Sequence, residues 1–368
     1  MLKDFRSGPA KAGHYVLALL VTATLVAQGP PGPDMTVDAA TRTAVIDGAL
    51  RALSEAYVFP EVATKMEQAL RDRQKRNEYD QVTSARQLAE TLTNHLQDVS
   101  RDKHIRVMYS ANALPPPPSP GARPSPEEME RQQERARAQM ALTNFGFEKV
   151  ERLAGNIGYL DLRGFMPPMF VGETAAAAMT FLANADAVII DLRQNGGGSP
   201  ETVALITTYL FGPQPVHLND IYNRPSDSTR QFWTLPYVPG KRLAGKDVYV
   251  LTSSFTFSGG EEFAYNLKQL KRATLVGEVT GGGANPGGGR RLTDHFGINV
   301  PTGRAINPIT KTNWEGVGVE PDVKVPAAKA LTTAHLMALE KQAPKVTSPP
   351  LKTEVSAAIE RLKKESGS

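Results

Sequence analysis

The sequence predicts an α/β protein with a small helical bundle in its N-terminal part. Apolar residues recur at helical spacing between residues 38 and 98, and strand-like segments alternate with helical ones from about residue 147. Hydrophobic residues make up 40% of the chain, which is enough for a substantial buried core. The 368 residues fit one large domain or two unequal ones.

Charge and cysteine content exclude several classes of function. The net charge of +4 is small for this length and no compact run of Lys and Arg occurs, so nucleic-acid binding is not indicated. The chain has no cysteine. Disulfide bonds, thiolate catalysis and zinc–thiolate sites are therefore excluded.

Residues 1–28 have the features of an export signal. Lys3, Arg6 and Lys11 precede an apolar run over residues 15–26, and Gly and Pro residues follow that run. The run is too short for a comfortable membrane span. We therefore expect an exported protein, periplasmic or secreted, with an uncleaved membrane anchor as the alternative.

The N-terminal subdomain, residues 36–110, is predicted to be a bundle of three amphipathic helices. Pro60 is acceptable in a first helical turn, so the second helix is expected to begin there. The segment Tyr57-Val58-Phe59 before it is expected to form a buried elbow. The apolar positions are Val45, Ile46, Leu50 and Leu53, then Val62, Met66 and Leu70, then Leu88, Leu92 and Leu96.

Residues 111–146 are predicted to be an insertion between the bundle and the rest of the chain. Seven prolines lie in residues 114–126, and residues 127–140 are polar and charged. This composition is typical of a loop followed by a solvated helix, or of a disordered insertion.

The main domain, residues 147–330, alternates strands and helices, which predicts α/β layers. Residues 291–300 are expected to form an outer hairpin, and residues 331–368 a peripheral C-terminal tail. The predicted strands cover residues 157–162, 187–192, 248–252 and 273–276, and the predicted helices residues 174–182, 201–211 and 261–270.

Ser258 is the strongest candidate for a nucleophile because it stands where a buried strand leads into a helix. The free N–H groups of a first helical turn favour negative charge, and Gly259 and Gly260 would let a substrate carbonyl approach the backbone. Ser258 with Glu261 three residues later is also an ordinary capping box. The Gly-x-Ser-x-Gly elbow of α/β hydrolases is absent.

A second strand-to-helix turn, residues 191–200, contains Gly196, Gly197 and Gly198. Its backbone N–H groups could bind an anion or an oxyanion, although a tight turn alone also explains the glycines. A dinucleotide-binding fingerprint does not fit, because the third glycine and the acidic residue are missing at their usual distances. No cofactor is therefore predicted.

The segment Asp102-Lys103-His104 follows the helical bundle and contains a candidate general base. Histidine often serves as a base because its pKa lies near working pH. Five other histidines occur, and composition cannot choose among them. No pair has the spacing of a His-Glu-x-x-His motif, so no metal site is predicted.

Taken in order, these segments resemble the C-terminal-processing (tail-specific) serine peptidase family. The resemblance is greatest to the branch that holds the tricorn protease core and the interphotoreceptor retinoid-binding protein modules. The segments that carry it are residues 57–60, 102–104, 158–160, 190–198, 252–261, 277–282 and 315–322.

The resemblance implies a crotonase- and ClpP-like core and assigns roles to five residues. Ser258 would be the nucleophile, His104 its base and Glu315 the residue that orients the imidazole, directly or through water. The N–H groups of Gly259 and Gly197 would bind the oxyanion.

Two positions separate the chain from related branches. The lysine base of the bacterial Ser/Lys branch is replaced by glycine within residues 281–283, and Lys103 stands where tricorn-like enzymes have a serine. The resemblance implies a peptidase acting on peptides or proteins. A non-catalytic binder of a hydrophobic ligand or peptide on the same fold is the alternative, and the oligomeric state is left open.

Overall fold

The computed structural model describes residues 32–116 and 124–367. The predicted export signal, residues 1–28, lies outside the described residues, as does the middle of the proline-rich stretch. Among the described residues, no helix combines the length and the apolarity needed to cross a membrane.

The described part of the chain contains nine α-helices, two short 3₁₀ helices and twelve strands. The helices are α1 (Ala39–Ala56), α2 (Pro60–Lys75), α3 (Ala85–Ser100), α4 (Pro126–Ala141), α5 (Pro168–Leu182), α6 (Pro200–Tyr209), α7 (Gly259–Gln269), α8 (Ala327–Gln342) and α9 (Pro349–Gly367). The strands are β1 (Arg106–Tyr109), β2 (Phe147–Leu153), β3 (Ile157–Leu162), β4 (Ala187–Asp191), β5 (His217–Asn223), β6 (Ser228–Trp233), β7 (Asp247–Thr252), β8 (Thr274–Gly277), β9 (Gly287–Arg291), β10 (Phe296–Pro301), β11 (Gly303–Ile306) and β12 (Val323–Lys324).

The three predicted N-terminal helices are α1, α2 and α3. Asp38 and Ser84 begin α1 and α3, and their side chains accept hydrogen bonds from backbone N–H groups of the first turn. Pro60 is the first residue of α2, as expected, and Tyr57 and Val58 are buried at the elbow. The apolar stripes of the helices face one another in a common core.

The bundle is joined to the main domain by a small antiparallel sheet in the order β1–β10–β9. Strands β9 and β10 form the predicted hairpin, whereas β1 comes from the N-terminal subdomain. Phe296, Ile298 and Val300 of β10 lie in the same hydrophobic cluster as the three helices. The two parts of the chain therefore share one hydrophobic core. Because β1 pairs with β10, the residues just before β1 lie next to the main domain.

The centre of the main domain is a six-stranded sheet in the order β12–β8–β7–β4–β3–β2. All its neighbouring strands are parallel except the edge pair β2 and β3. Helices α5, α6 and α7 cover one face and α8 and α9 cover the other. The predicted class, an α/β core with an N-terminal helical bundle, is confirmed.

Several elements differ from the sequence prediction or were absent from it. Helix α5 begins at Pro168 rather than at residue 174, because proline fits a first helical turn. Helix α4 has no buried residue, so the insertion contains the solvated helix that was one of two expectations. The sheet in the order β11–β5–β6 was not predicted.

The C-terminal tail is less peripheral than expected. Val355, Ala358 and Leu362 of α9 are buried in the cluster formed by α8 and the central sheet. The apolar positions recur at intervals of three and four residues, which is a helical pattern.

Removing a buried leucine from the bundle should destabilise the fold. Leu88 is 0% exposed and Leu142 is 78% exposed, so the two leucines form a matched pair for substitution. We expect Leu88→Ala to lower the free energy of unfolding by about 2–5 kcal/mol and Leu142→Ala to change it little, as measured by urea denaturation. Equal stabilities of the two variants would contradict the burial of Leu88.

Candidate active site

Ser258 lies in the turn between β7 and α7 with an unusual backbone conformation. Its φ is +52° and its ψ is −118°, a region that L residues rarely occupy. Two hydrogen bonds hold the turn: Phe257 N–H donates to the carbonyl of Asn195 at 3.0 Å, and Ser258 N–H donates to Glu261 at 2.9 Å. A strained serine at a helix start is an outlier of the kind that clusters at functional sites.

Glu261 holds this turn in place through hydrogen bonds. Its buried carboxylate accepts hydrogen bonds from the N–H groups of Ser258, Gly282 and Gly283 and from the hydroxyl of Thr280. Burial raises the pKa of Glu261, and the hydrogen bonds oppose that rise. The predicted capping contact between Ser258 and Glu261 is thus one of several hydrogen bonds through which Glu261 links the Ser258 turn to the loop of residues 280–283.

The glycine turn after β4 packs directly against Ser258. Gly197 and Gly198 have φ values of +104° and +138°, which favour glycine. A Cβ atom on Gly197 would lie 2.7 Å from the Cβ of Ser258, and one on Gly259 would lie 3.0 Å from the nitrogen of Gly198. The two glycine segments therefore pack against each other beside Ser258, with no room for a side chain at residue 197 and little at residue 259.

The N–H groups of this turn differ in availability. Gly197 N–H, the predicted oxyanion donor, donates to Oδ1 of Asn195 at 2.8 Å. Within residues 32–116 and 124–367, the N–H groups of Gly198 and Gly259 have no hydrogen-bond partner. Two unsatisfied backbone donors consequently lie beside Ser258.

His104 lies against the residue that precedes the nucleophile candidate. Its ring centroid is 4.6 Å from that of Phe257, and a Cβ atom on Gly283 would be 2.7 Å from its Cε1 atom. The backbone is fixed because His104 N–H donates to Asp102 and the His104 carbonyl accepts from Asn299. The structure thus brings residues 104 and 258, from different parts of the fold, into one region.

The imidazole of His104 is largely buried and makes no hydrogen bond within the described residues. Its side chain is 14% exposed, and neither ring nitrogen has a hydrogen-bond partner among the described residues, so no bond to Ser258 or Glu315 is formed. Burial, with a smaller effect of the Arg106 charge, lowers the pKa of His104 to about 4. The ring is therefore neutral near pH 7, as a general base requires.

The other described histidines are engaged elsewhere. His14 lies outside the described residues. The remaining ring contacts are His95 with Tyr79, His217 with Asp220, His295 with Ser110 and His335 with Ala154.

Asp102 is a site residue to which the sequence assigned no role. Its carboxylate is buried, and Oδ1 lies 3.8 Å from Nδ1 of His104. Its Oδ2 accepts from the Tyr57 hydroxyl at 3.2 Å and from Nδ2 of Asn285 at 2.9 Å. Burial raises the pKa of Asp102, and these hydrogen bonds oppose the rise. In the sequence, the position of Asp102 two residues before His104 was the signal that could have pointed to it.

Glu315 lies near the same imidazole but farther away than Asp102. One carboxylate oxygen accepts from Ala284 N–H, while Oε1 is buried without a partner among the described residues. Burial and the negative charge of Asp102 raise the pKa of Glu315 to about 8. One donor atom from each of Asp102, His104 and Glu315 lies within 4.8 Å of the others, so these three side chains could hold a metal ion.

Lys103, which occupies the serine position of the tricorn-like branch, contacts the neighbouring loop. Its ammonium group donates to the carbonyl of Gly281 at 2.6 Å. This contact adds a second link between the bundle and the loop that Glu261 holds.

Curated proteins similar to this chain are peptidases. They include a tricorn protease from Thermoplasma volcanium (28% identical over 180 residues, 48% of this chain) and a chloroplastic carboxyl-terminal-processing peptidase 2 from Arabidopsis thaliana (29% over 177 residues, 46% of this chain). The matches span only 16% and 32% of those relatives' lengths.

Solved structures share the fold at low sequence identity. A candidate peptidase from Parabacteroides merdae has a TM-score of 0.52 and 18% identity, with 87% of this chain and 96% of that chain covered. A lipoprotein from Streptococcus agalactiae has a TM-score of 0.50 and 14% identity, with 82% and 96% covered. These likenesses concern the fold alone.

Two family models match successive parts of the chain. Residues 156–325 match the model of peptidase family S41, and residues 38–150 match the N-terminal domain of peptidase S41 in eukaryotic IRBP. The first range contains the Ser258 turn and Glu315, and the second contains Asp102 and His104. The chain belongs to peptidase family S41.

Proposed function

We propose that this protein is a serine peptidase that hydrolyses peptide bonds through an acyl-enzyme, with Ser258 as the nucleophile. The observation that carries the proposal is the turn itself. Ser258 has a φ of +52° and lies beside two backbone N–H groups, those of Gly198 and Gly259, that have no partner within the described residues. Such donors can bind the oxygen on which negative charge develops.

His104 is the proposed base. Neither ring nitrogen has a partner among the described residues, the lowered pKa keeps the imidazole neutral with one nitrogen able to accept a proton, and the ring contacts Phe257 beside Ser258. The imidazole makes no hydrogen bond to Ser258, so substrate binding must bring the two together. Catalytic hydrogen bonds are often long before substrate binds.

The reaction follows from these positions. The Ser258 hydroxyl attacks the peptide carbonyl carbon while His104 takes its proton, and the imidazolium then gives that proton to the leaving amine. A water molecule, deprotonated by the same imidazole, hydrolyses the ester and releases the serine. Asp102, the nearer carboxylate, would stabilise the positive imidazolium, and Glu315 would add to this only when its raised pKa leaves it ionised.

The proposed oxyanion donors are the N–H groups of Gly259 and Gly198. The sequence pointed to Gly197 for the second donor, but that N–H donates to Asn195. Gly198 is the next residue of the same turn, and its nitrogen faces Gly259. Each such donor contributes about 3–4 kcal/mol to transition-state stabilisation in comparable sites.

The surroundings of the turn suit peptide or protein substrates with apolar residues. Phe255 lies in the Ser258 turn and is 50% exposed, and Val279, 40% exposed, lies on the loop whose Gly281 N–H donates to the Thr256 carbonyl. Val317, 72% exposed, lies on the next loop, which contacts Gly282. Exposed apolar side chains around a site favour apolar partners. The basic and apolar pattern of residues 1–28 supports export to the periplasm or the exterior.

Labelling with a fluorophosphonate probe tests the nucleophile. We expect wild type to be labelled and Ser258→Ala to lose labelling, because the probe reacts with an activated serine hydroxyl. Ser254→Ala is the matched control, since Ser254 is an exposed serine of the same turn region, and it should be labelled like wild type. Equal labelling of wild type and Ser258→Ala would remove the assignment.

The same experiment separates the alternative function. If wild type is not labelled, and a hydrophobic fluorescent ligand binds wild type and Ser258→Ala equally, the chain is a non-catalytic binder on a peptidase fold.

Substitution of His104 tests the base. We expect His104→Ala to slow fluorophosphonate labelling by about 10²–10⁴-fold, because the serine proton would have no acceptor. His217→Ala is the matched control: that ring is bonded to Asp220 and stacks on Trp233, away from the site. Unchanged labelling in His104→Ala would exclude the proposed base.

Two isosteric substitutions test which carboxylate orients the imidazole. Asp102→Asn should slow labelling by at least about 100-fold, because Asp102 is the carboxylate nearest to His104. Glu315→Gln should have a smaller effect. A larger loss in Glu315→Gln than in Asp102→Asn, with both variants folded by circular dichroism, would give the orienting role to Glu315.

A further inference from the structure

We propose that Asp102, His104 and Glu315 form a binding site for one divalent transition-metal ion such as Zn²⁺, and that its occupation blocks the peptidase reaction. Binding follows from the geometry alone, whereas the blocking effect rests on the proposed function. One donor atom from each residue lies within 4.8 Å of the other two.

The donors of this site are free to bind. Both ring nitrogens of His104 and Oε1 of Glu315 are buried and have no hydrogen-bond partner among the described residues. Buried polar atoms nearly always have partners in folded proteins, and one ion would satisfy two of these atoms, a ring nitrogen of His104 and Oε1 of Glu315. Asp102 can add Oδ1 and still accept from His104 N–H, because a carboxylate oxygen has two lone pairs.

The outer contacts of the site resemble those around metal ligands. Tyr57 and Asn285 donate to the other oxygen of Asp102, and Ala284 N–H donates to the other oxygen of Glu315. Such contacts orient ligand side chains. Zn²⁺ at bond lengths of about 2.0–2.2 Å requires donor atoms about 3.3 Å apart, so the three side chains must draw together modestly.

The chemistry of the donor set selects the ion. Two carboxylates and one imidazole carry two negative charges when deprotonated, which a divalent cation neutralises in a buried region. An imidazole nitrogen suits Zn²⁺ and Co²⁺, whereas Mg²⁺ prefers oxygen ligands and keeps several waters. Three protein ligands leave a fourth coordination position open.

Occupation of the site would disable the proposed base. A metal bond uses a lone pair of the imidazole and holds the ring beside Asp102 and Glu315. His104 could then no longer approach Ser258 to accept its proton. The ion would act as a reversible inhibitor.

Isothermal titration of untagged, metal-free protein with ZnCl₂ tests the binding. We expect one Zn²⁺ per chain in wild type and in Ser258→Ala, and no heat of binding with MgCl₂. His104→Ala and Glu315→Gln should each weaken Zn²⁺ binding at least about tenfold. His217→Ala, which removes another histidine beside a carboxylate, should bind Zn²⁺ like wild type.

Two further measurements locate the ion and its effect. Co²⁺ should give visible absorption bands of a four-coordinate site in wild type that are absent in His104→Ala. Zn²⁺ should slow fluorophosphonate labelling of wild type, and EDTA should restore it.

The outcomes distinguish this site from the peptidase proposal. Equal Zn²⁺ affinity in wild type and His104→Ala, or a loss confined to His217→Ala, would overturn the site. Faster labelling with bound Zn²⁺ would overturn the blocking role. Stoichiometric binding in Ser258→Ala without any labelling of wild type would support the site while contradicting the peptidase.

Discussion

The buried carboxylate of Glu261 is the interaction on which the site depends. It joins the Ser258 turn to the loop that begins at Thr280, and His104, Glu315 and Asp102 all contact that loop. Gly283 lies against the His104 ring, Ala284 donates to Glu315 and Asn285 donates to Asp102. A single acidic side chain at the start of α7 therefore sets the positions of Ser258 and the residues around the imidazole relative to each other.

The second constraint is the docking of the bundle on the main domain. Asp102 and His104 precede β1, and β1 pairs with β10 in the register that places Arg106 opposite Asn299. Asn299 also donates to the His104 carbonyl, and Tyr57 reaches Asp102 from the elbow between α1 and α2. The imidazole is thus placed by the interface between the two parts of the chain, and loosening that interface would displace the imidazole before it disturbed Ser258.

Periodicity and turn residues predicted much of the fold and part of the site. The helical stripes predicted α1 to α3, the alternating apolar segments predicted four of the six strands of the central sheet (β3, β4, β7 and β8), and Ser258 before two glycines marked the turn. Strands β5, β6 and β11 escaped prediction because their polar, partly exposed residues have no clear period. The Asn195 bond that occupies Gly197 N–H and the contact of Asp102 with Asn285 depend on loop geometry and on residues distant in sequence, which local patterns do not encode.

The left-handed backbone at Ser258 has a consequence for how this chain can change. Glycine has no Cβ atom and adopts this conformation without steric strain, so glycine at position 258 would give the more stable fold. Selection for thermal stability alone would favour glycine at position 258, and the hydroxyl would be lost. A serine at this position therefore lowers stability relative to glycine, a cost that the proposed catalytic hydroxyl would explain.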